Sequence, residues 1–225
     1  MDAKTPEEII DIFKQKTEGS GGVGVSVTEE ISNDTYLEAI QNSYNNLLSS
    51  KDWWWNRVFV DNAEFRPVVL GGGRSAYRLD LPEDFGRFIS SSEYQGYAFA
   101  TVNSNQPLNW ISPDQKPGQA YYSYTVLLYD RTTGRAYVES TEVGGQRVEY
   151  TYLAKPQTLA LETPIPYVPA EFHQYFVYSL FDDDAVSRGL SELEDLQSQR
   201  IFETKKNEIM HSMDRDNFQN ISSPS

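Results

Sequence analysis

Apolar residues at helical spacing predict two helices in the first part of the chain. Between about residues 32 and 50 they recur every three or four positions, which makes one apolar stripe on a helix. Ser32 or Asn33 offers a side-chain oxygen that can cap its first turn. The members of the stripe are Leu37, Ile40, Tyr44 and Leu47. A shorter amphipathic helix is predicted at residues 6–16, with Ile9, Ile10, Ile12 and Phe13 on or near one face.

The period of the pattern changes to two between about residues 58 and 153. Short alternating runs separated by Gly, Pro and Asn predict a β-rich region of antiparallel strands. Gly71–Gly73 and Gly144–Gly145 are expected to form hairpin turns. Residues 103–119 contain many turn-forming residues, which predicts a projecting loop.

Helical periodicity returns in the last third of the chain. Helices are predicted at about residues 169–181 and 185–213, joined by a short turn and therefore antiparallel. Pro169 suits the first position of the earlier helix, where a missing N–H costs no hydrogen bond. Phe172, Phe176 and Leu180 recur along this helix, and its other side is apolar too, which predicts burial. The polar residues 214–225 are expected to form a flexible tail.

These patterns together predict an α+β fold. A long N-terminal helix and a C-terminal antiparallel helix pair should pack with a central antiparallel β region, followed by an extended C-terminal tail. Residues 1–25 are predicted to be a short helix and a flexible linker, because GSGGVGV at 19–25 lacks the Lys-Ser or Lys-Thr of a phosphate-binding loop. Residues 26–213 are predicted to be one domain with the β-rich part inserted.

Composition and charge exclude several classes of function. The chain has no cysteine, so disulfides and thiolate metal sites are excluded. Its formal net charge is −14, whereas duplex DNA carries a negative charge per roughly 1.7 Å of axis and is gripped by clustered Lys and Arg. We therefore expect no DNA binding, although an acidic wall can surround DNA and let it slide. The acidic start lacks the features of a signal peptide, so synthesis in the cytoplasm is expected, without membrane insertion.

Candidate catalytic and metal-binding groups are sparse. His173 and His211 are the two histidines and lie on predicted helices without a second ligand at metal-binding spacing. No serine lies in a G-x-S-x-G pattern. Asp182, Asp183 and Asp184 precede a predicted helix, so a cap is favoured over a calcium site, which needs alternating ligands and a turn glycine. We expect no catalytic residue, no cofactor and no metal, and hence no enzyme.

Three consecutive tryptophans, Trp53–Trp55, allow two interpretations. They lie where a helix gives way to a strand, which favours core or subunit contact, because each aromatic ring buries roughly 150–250 Å². In strand geometry Trp53 and Trp55 would share a face and Trp54 would take the other. Exposed rings would instead form a platform on which sugars stack.

The order of several motifs resembles that of the head-to-tail adaptor (connector or neck) proteins of tailed bacteriophages. The helix from Ser32 ends in the tryptophan run, and Leu81-Pro82-Glu83-Asp84-Phe85 follows Tyr77. Tyr152 precedes Lys155-Pro156, and Pro169-Ala170-Glu171-Phe172-His173 opens the penultimate helix. The match covers about residues 32–213. The family's proline-bounded middle strand cannot be placed between Gln95 and Gly145, and residues 1–25 have no counterpart.

The resemblance implies a virion structural protein located in the neck, between the capsid portal and the tail. Its copies would form a ring, commonly twelvefold, under the portal protein, bind a downstream neck or tail protein, and let genomic DNA pass without specific binding. It also implies two sets of residues. Those for portal contact are Asn207, Ile209, Met210, Met213, Phe218 and Ile221. Those for the core or a subunit interface are Trp53, Trp54, Trp55, Phe172, Phe176 and Leu180.

Two alternatives remain open at this point. One is another neck or tail-completion protein of the virion. The other, of a different class, is a carbohydrate-binding or adhesin module that uses Trp110 and the 103–119 loop.

Overall fold

The chain forms two compact units in a computed structural model that describes residues 2–18, 31–69, 75–91, 96–101, 107–111, 126–130, 135–138, 147–187 and 196–221. One unit is Met1–Asn56 together with Pro156–Ser225, and the other is Arg57–Lys155. The first unit is helical and the second consists of strands, so the predicted α+β class is confirmed. The second unit nearly coincides with the β-rich region predicted at 58–153.

The helical unit begins with α1 (Pro6–Glu18) and α2 (Asn33–Ser50). At the start of α1, Glu8 N–H donates to Thr5 Oγ1 and Thr5 N–H donates to Glu8 Oε2. This reciprocal pair satisfies two donors of the first turn, and Pro6 fits beside it because its position needs no N–H. The Ser32 side chain caps α2 by accepting from Thr35 N–H at 3.2 Å, as predicted.

The remaining helices of this unit follow the sheet in the chain. A 3₁₀ turn at Ala170–Phe172, helix α3 (Gln174–Ser179) and another 3₁₀ turn at Leu180–Asp182 replace the single helix predicted at 169–181. Pro169 lies one position before the first of these turns. Helix α4 (Asp184–Ser187) is short, and the long α5 spans Leu196–Ile221.

The predicted flexible tail is wrong for residues 214–221, which are the last two turns of α5. Side chains of these turns form hydrogen bonds and an ion pair with residues that follow α2. These polar contacts hold the end of α5, which the apolar pattern of the sequence did not predict to be helical. Residues 222–225 lie outside the described residues, as do the linker residues 19–25.

Aromatic side chains from both ends of the chain form the core of the helical unit. Phe13 of α1 packs against Tyr36 and Phe181, with ring centroids 5.5 and 4.7 Å apart. Phe202 of α5 stacks on Phe181 at 3.8 Å. Helix α1 is therefore an integral part of this core, whereas residues 1–25 were predicted to precede a domain that begins at residue 26. The sequence predicts the apolar side of α1, but it does not predict the residues that pack against this side, because they come from distant segments.

The described residues of the second unit form a sheet of ten strands, and the strand order along its main path is β1-β10-β6-β7-β8-β9-β3-β2. In addition, β4 pairs with β10 and β5 with β6. The strands are β1 (Arg57–Glu64), β2 (Arg66–Val69), β3 (Ser75–Asp80), β4 (Phe85–Phe88), β5 (Ser90–Ser91), β6 (Gly96–Thr101), β7 (Pro107–Ile111), β8 (Val126–Asp130), β9 (Arg135–Val138) and β10 (Arg147–Ala154).

The pairing is antiparallel, as predicted, except between β7 and β8, which are parallel. Strand β7 also replaces part of the loop predicted at 103–119, because its backbone pairs with β6 and β8. The other residues of that loop and both predicted glycine turns lie outside the described residues.

The two strands at the ends of the sheet's main path are consecutive in the sequence. Strands β1 and β2, at the two ends of the main path, are separated only by Phe65, whose side chain is buried. Arg57–Glu64 pairs with β10, and Arg66–Val69 pairs with β3. The register of β1 shifts between Val60 and Ala63. Such an irregularity bends a strand, which suits a segment that serves two neighbours.

We expect Phe176→Ala to lower the free energy of unfolding by about 3–5 kcal/mol, because the ring is fully buried and its removal leaves a cavity. Phe218→Ala is the matched control: this ring is 73% exposed, so the loss should be within about 1 kcal/mol. Urea unfolding followed by circular dichroism measures both. Equal losses would contradict the described core.

Candidate functional site

The tryptophan run is a buried stacking pair with one ring left outside. Trp53 lies against Trp55 with centroids 4.5 Å apart and planes 13° apart, and its indole N–H donates to Leu47 O at 2.7 Å. Residues 54–56 form a 3₁₀ turn rather than the strand assumed from the sequence. The predicted separation of Trp53 and Trp55 from Trp54 nevertheless holds, because Trp54 is 36% exposed and the other two are buried.

Two motifs that carry the resemblance meet in this core. Trp55 packs against Phe172 of the Pro-x-Glu-x-His segment, with centroids 5.6 Å apart. Phe176 and Leu180, one and two turns further on, are fully buried. Five of the six residues assigned to the core or an interface thus lie in the core of the helical unit. Trp54 does not, because its N–H groups bond to α5 and its ring faces partly outward.

A polar cluster that we call the C-terminal clamp holds the end of α5. Trp54 donates its backbone N–H to Asn217 Oδ1 and its indole N–H to Asp216 Oδ2, both at 2.7 Å. Asn217 Nδ2 donates to Asp52 O at 3.2 Å, and Lys51 pairs with Asp214. The clamp therefore consists of Lys51, Asp52, Trp54, Asp214, Asp216 and Asn217. Sequence reasoning missed it, since no local pattern links residues so far apart.

The residues assigned to portal contact fall into two groups along α5. Met213 is fully buried, and Ile209 and Met210 are half-buried against the core. Asn207 and Phe218 are exposed. Ile221 ends the helix, and its side chain lies outside the described set. Within this set, the exposed side chains of Asn207 and Phe218 could meet a partner without rearrangement of α5.

His173 is buried and hydrogen-bonded at both ring nitrogens. Lys4 N–H donates to Nδ1 at 2.9 Å, and Nε2 lies 2.8 Å from Val168 O. Since Nδ1 accepts, the ring proton is on Nε2 and is donated to Val168. Burial lowers the pKa of His173 below its ordinary value, and the bond to Val168 opposes this only in part. His211 is exposed on α5.

The acidic run before α4 acts as a helix cap, in agreement with the sequence-based expectation. Asp183 Oδ1 accepts from Ala185 N–H at 2.9 Å and from Val186 N–H at 3.2 Å. Asp182 pairs with Lys206 of α5. Within the described ranges, no three His, Asp or Glu side chains are arranged to hold a metal ion.

In the sheet unit, the Leu-Pro-x-Asp-Phe turn joins the end of β10. Asp84 Oδ1 accepts from the Tyr152 hydroxyl at 2.7 Å, and Asp84 O accepts from Lys155 N–H at 2.7 Å. Gly86 follows, where an added Cβ would lie 2.7 Å from Leu153 O, so the close strand approach requires glycine. Burial, with a smaller effect of the Asp84 charge, raises the pKa of neighbouring Tyr150 to about 12.

Motifs that are far apart in the sequence thus contact each other within each unit. These contacts are hydrophobic stacking, caps and hydrogen bonds, and all of them stabilise the fold. The described side chains that meet in them include no nucleophile activated by a base. The arrangement builds a scaffold and presents α5 on its surface.

Comparison with known proteins adds no assignment: no family model matches the chain, and no match is found among curated proteins. None of the described helices has both the length and the hydropathy needed to cross a membrane.

We expect the Tyr152–Asp84 hydrogen bond to stabilise the sheet unit by about 1.5–3 kcal/mol, the range for bonds to charged groups. A double-mutant cycle with Tyr152→Phe and Asp84→Ala measures this coupling from the unfolding free energies. Additive effects of the two substitutions would contradict a direct bond.

For the clamp, Asn217→Ala should increase hydrogen exchange of the amides at 214–221, because it removes bonds to both Trp54 and Asp52. The expected loss of local stability is about 1–2 kcal/mol. Asn207→Ala is the matched control, since Asn207 is exposed on the same helix and is not part of the clamp. Faster exchange in both variants alike would show that the helix end frays independently of the clamp.

Proposed function

We propose that this chain is a structural protein of a tailed-bacteriophage virion, a head-to-tail adaptor whose copies form a ring beneath the portal. The observation that carries the proposal is that residues of different motifs shared with the adaptor proteins contact each other in this structure. Trp55 meets Phe172 in one unit, and Asp84 meets Tyr152 in the other. Each motif alone is weak support for the adaptor function. Because residues of different motifs contact each other, the order and spacing of the motifs together give stronger support.

The exposed side of α5 is the surface best suited to the portal protein. The helix has 26 residues and is therefore about 39 Å long at 1.5 Å per residue. Phe218 lies on its solvent side near the end, 73% exposed, and Ile201 is 49% exposed near the start. Single exposed apolar side chains are ordinary on a protein surface, so the choice of Phe218 rests on the resemblance together with its exposure. The contact set is accordingly reduced to Asn207, Phe218 and neighbouring outer residues of α5.

The charge of the chain suits a conduit for DNA. At a net charge of −14, a ring of copies would repel the phosphate backbone rather than hold it. We propose that genomic DNA passes through the ring without specific binding. The sheet unit, with Phe59 and Val69 exposed, is proposed to receive the downstream neck or tail protein.

A sugar-binding platform is less well supported than the adaptor. The rings of Trp53 and Trp55 stack on each other and are buried, so they cannot stack on a pyranose ring. Trp54 is the most exposed of the three, but its indole N–H is bonded to Asp216. The run therefore contributes to stability, with no catalytic or cofactor-binding role proposed.

The proposal predicts that the purified chain co-sediments with the portal ring of the same virus. Phe218→Ser should weaken this association by about tenfold or more, as expected for a central apolar contact. Phe59→Ser, at an exposed phenylalanine of the sheet unit, is the control and should leave portal binding unchanged. Deletion from Asn207 onward is less informative, because it also removes the buried Met213 and the clamp.

Absence of co-sedimentation by the folded wild-type chain would contradict the adaptor function. Wild-type binding that Phe218→Ser leaves intact would retain the adaptor and move the contact away from the end of α5.

A further inference from the structure

The N-terminal segment is attached to the helical unit through His173, in addition to its apolar contacts. Lys4 contributes its backbone N–H to His173 Nδ1 at 2.9 Å and its carbonyl to Ile165 N–H at 3.0 Å. One turn later, Glu7 N–H donates to Leu161 O at 3.1 Å. These bonds place α1 so that Ile9, Ile10 and Phe13 enter the core.

Among these bonds, only the one to His173 depends on the state of a titratable side chain. Nδ1 can accept from Lys4 only while it carries no proton, and Nε2–H is already donated to Val168 O. A second proton on the ring would be on Nδ1 and would point at the Lys4 N–H. Two donors would then face each other and the hydrogen bond would be lost. The bonds to Ile165 and Leu161 are backbone to backbone and do not change between pH 5 and 8.

The charges around His173 come from each element that packs against it. Lys4 disfavours a positive ring, whereas Glu171 in the preceding 3₁₀ turn and Glu8 in α1 favour it. Burial is the largest effect and disfavours the charged ring. The ring is fully buried beside Phe176, so no solvent is available to stabilise a proton while the segment stays bound.

We propose that His173 is a pH-dependent latch on the N-terminal segment. The neutral ring holds Lys4 and thereby α1 on the helical unit, and protonation of the ring raises the population of a minor open form in which residues 2–18 are detached and α2 remains folded. Release uncovers the apolar side of α1 and the surface formed by Tyr36 and Phe181. The proposal is independent of the adaptor function.

The direction of the pH effect follows from linkage. Because the pKa of His173 is lowered when α1 is bound, the open form takes up a proton that the closed form lacks. The closed form is therefore fully favoured above the ordinary histidine pKa of about 6.5. As the pH falls below 6.5 this advantage is lost, until the pKa of the closed form is reached.

Hydrogen exchange of the full-length chain between pH 7.5 and 5 tests the latch. After division by intrinsic exchange rates, protection of the α1 amides should fall toward tenfold per pH unit below about 6.5, the slope for one proton. Protection of the α2 amides should stay higher. His173→Gln is designed to keep both hydrogen bonds without a titrating ring, and should abolish the slope. His211→Gln, at the only other histidine, should behave like wild type.

Two results would overturn the latch: the same slope in His173→Gln, or equal protection of α1 and α2 at every pH, which would mean global unfolding. If His173→Gln does not fold, magnetic resonance of labelled histidine in the wild-type chain decides, with His211 as the internal reference. Titration of His173 together with α1 opening is expected. Titration while the α1 amides remain protected would overturn the proposal.

Discussion

Burial of large aromatic rings is the constraint on which the helical unit depends. Trp53, Trp55, Phe172 and Phe176 come from segments separated by the whole sheet unit, and they can share one core only if the chain leaves after Asn56 and returns at Pro156. Phe13 and Phe202 extend the same core toward the two ends of the chain. An aromatic core of this kind tolerates little loss, because each deleted ring leaves a cavity.

Local patterns in the sequence were sufficient where one segment determines its own structure. Residues 6–16 and 32–50 are helices as predicted, Ser32 is the cap, and Asp183 caps α4. The reciprocal cap of Thr5 and Glu8 was also present in the sequence as a Thr-x-x-Glu pattern, and it fixes where α1 begins. The fold class followed from these periods.

Contacts between distant segments could not be predicted from those periods. The helical end of the chain at 214–221 depends on Trp54 and Asp52, and the position of α1 depends on His173 and Leu161. The parallel pairing of β7 with β8 likewise requires knowledge of the strand order. In each case a partner outside the local segment decided the outcome, and the period of the segment does not identify that partner.

The structure changes how the proposed adaptor would work. The residues that the resemblance implies for portal contact include Met213, which is buried in the core, so in the proposed adaptor the last helix would be a preformed surface anchored by the clamp in place of the predicted flexible tail. A preformed surface has the advantage that its ordering entropy is not lost at assembly. Binding then depends on the few outer side chains of α5.

Electron microscopy of the chain mixed with the portal ring of the same virus tests the central claim most directly. The account predicts a closed ring of copies stacked under the narrow end of the portal, with the outer side of α5 in the contact and α5 still helical. A folded chain that stays dispersed beside bare portal rings would contradict it.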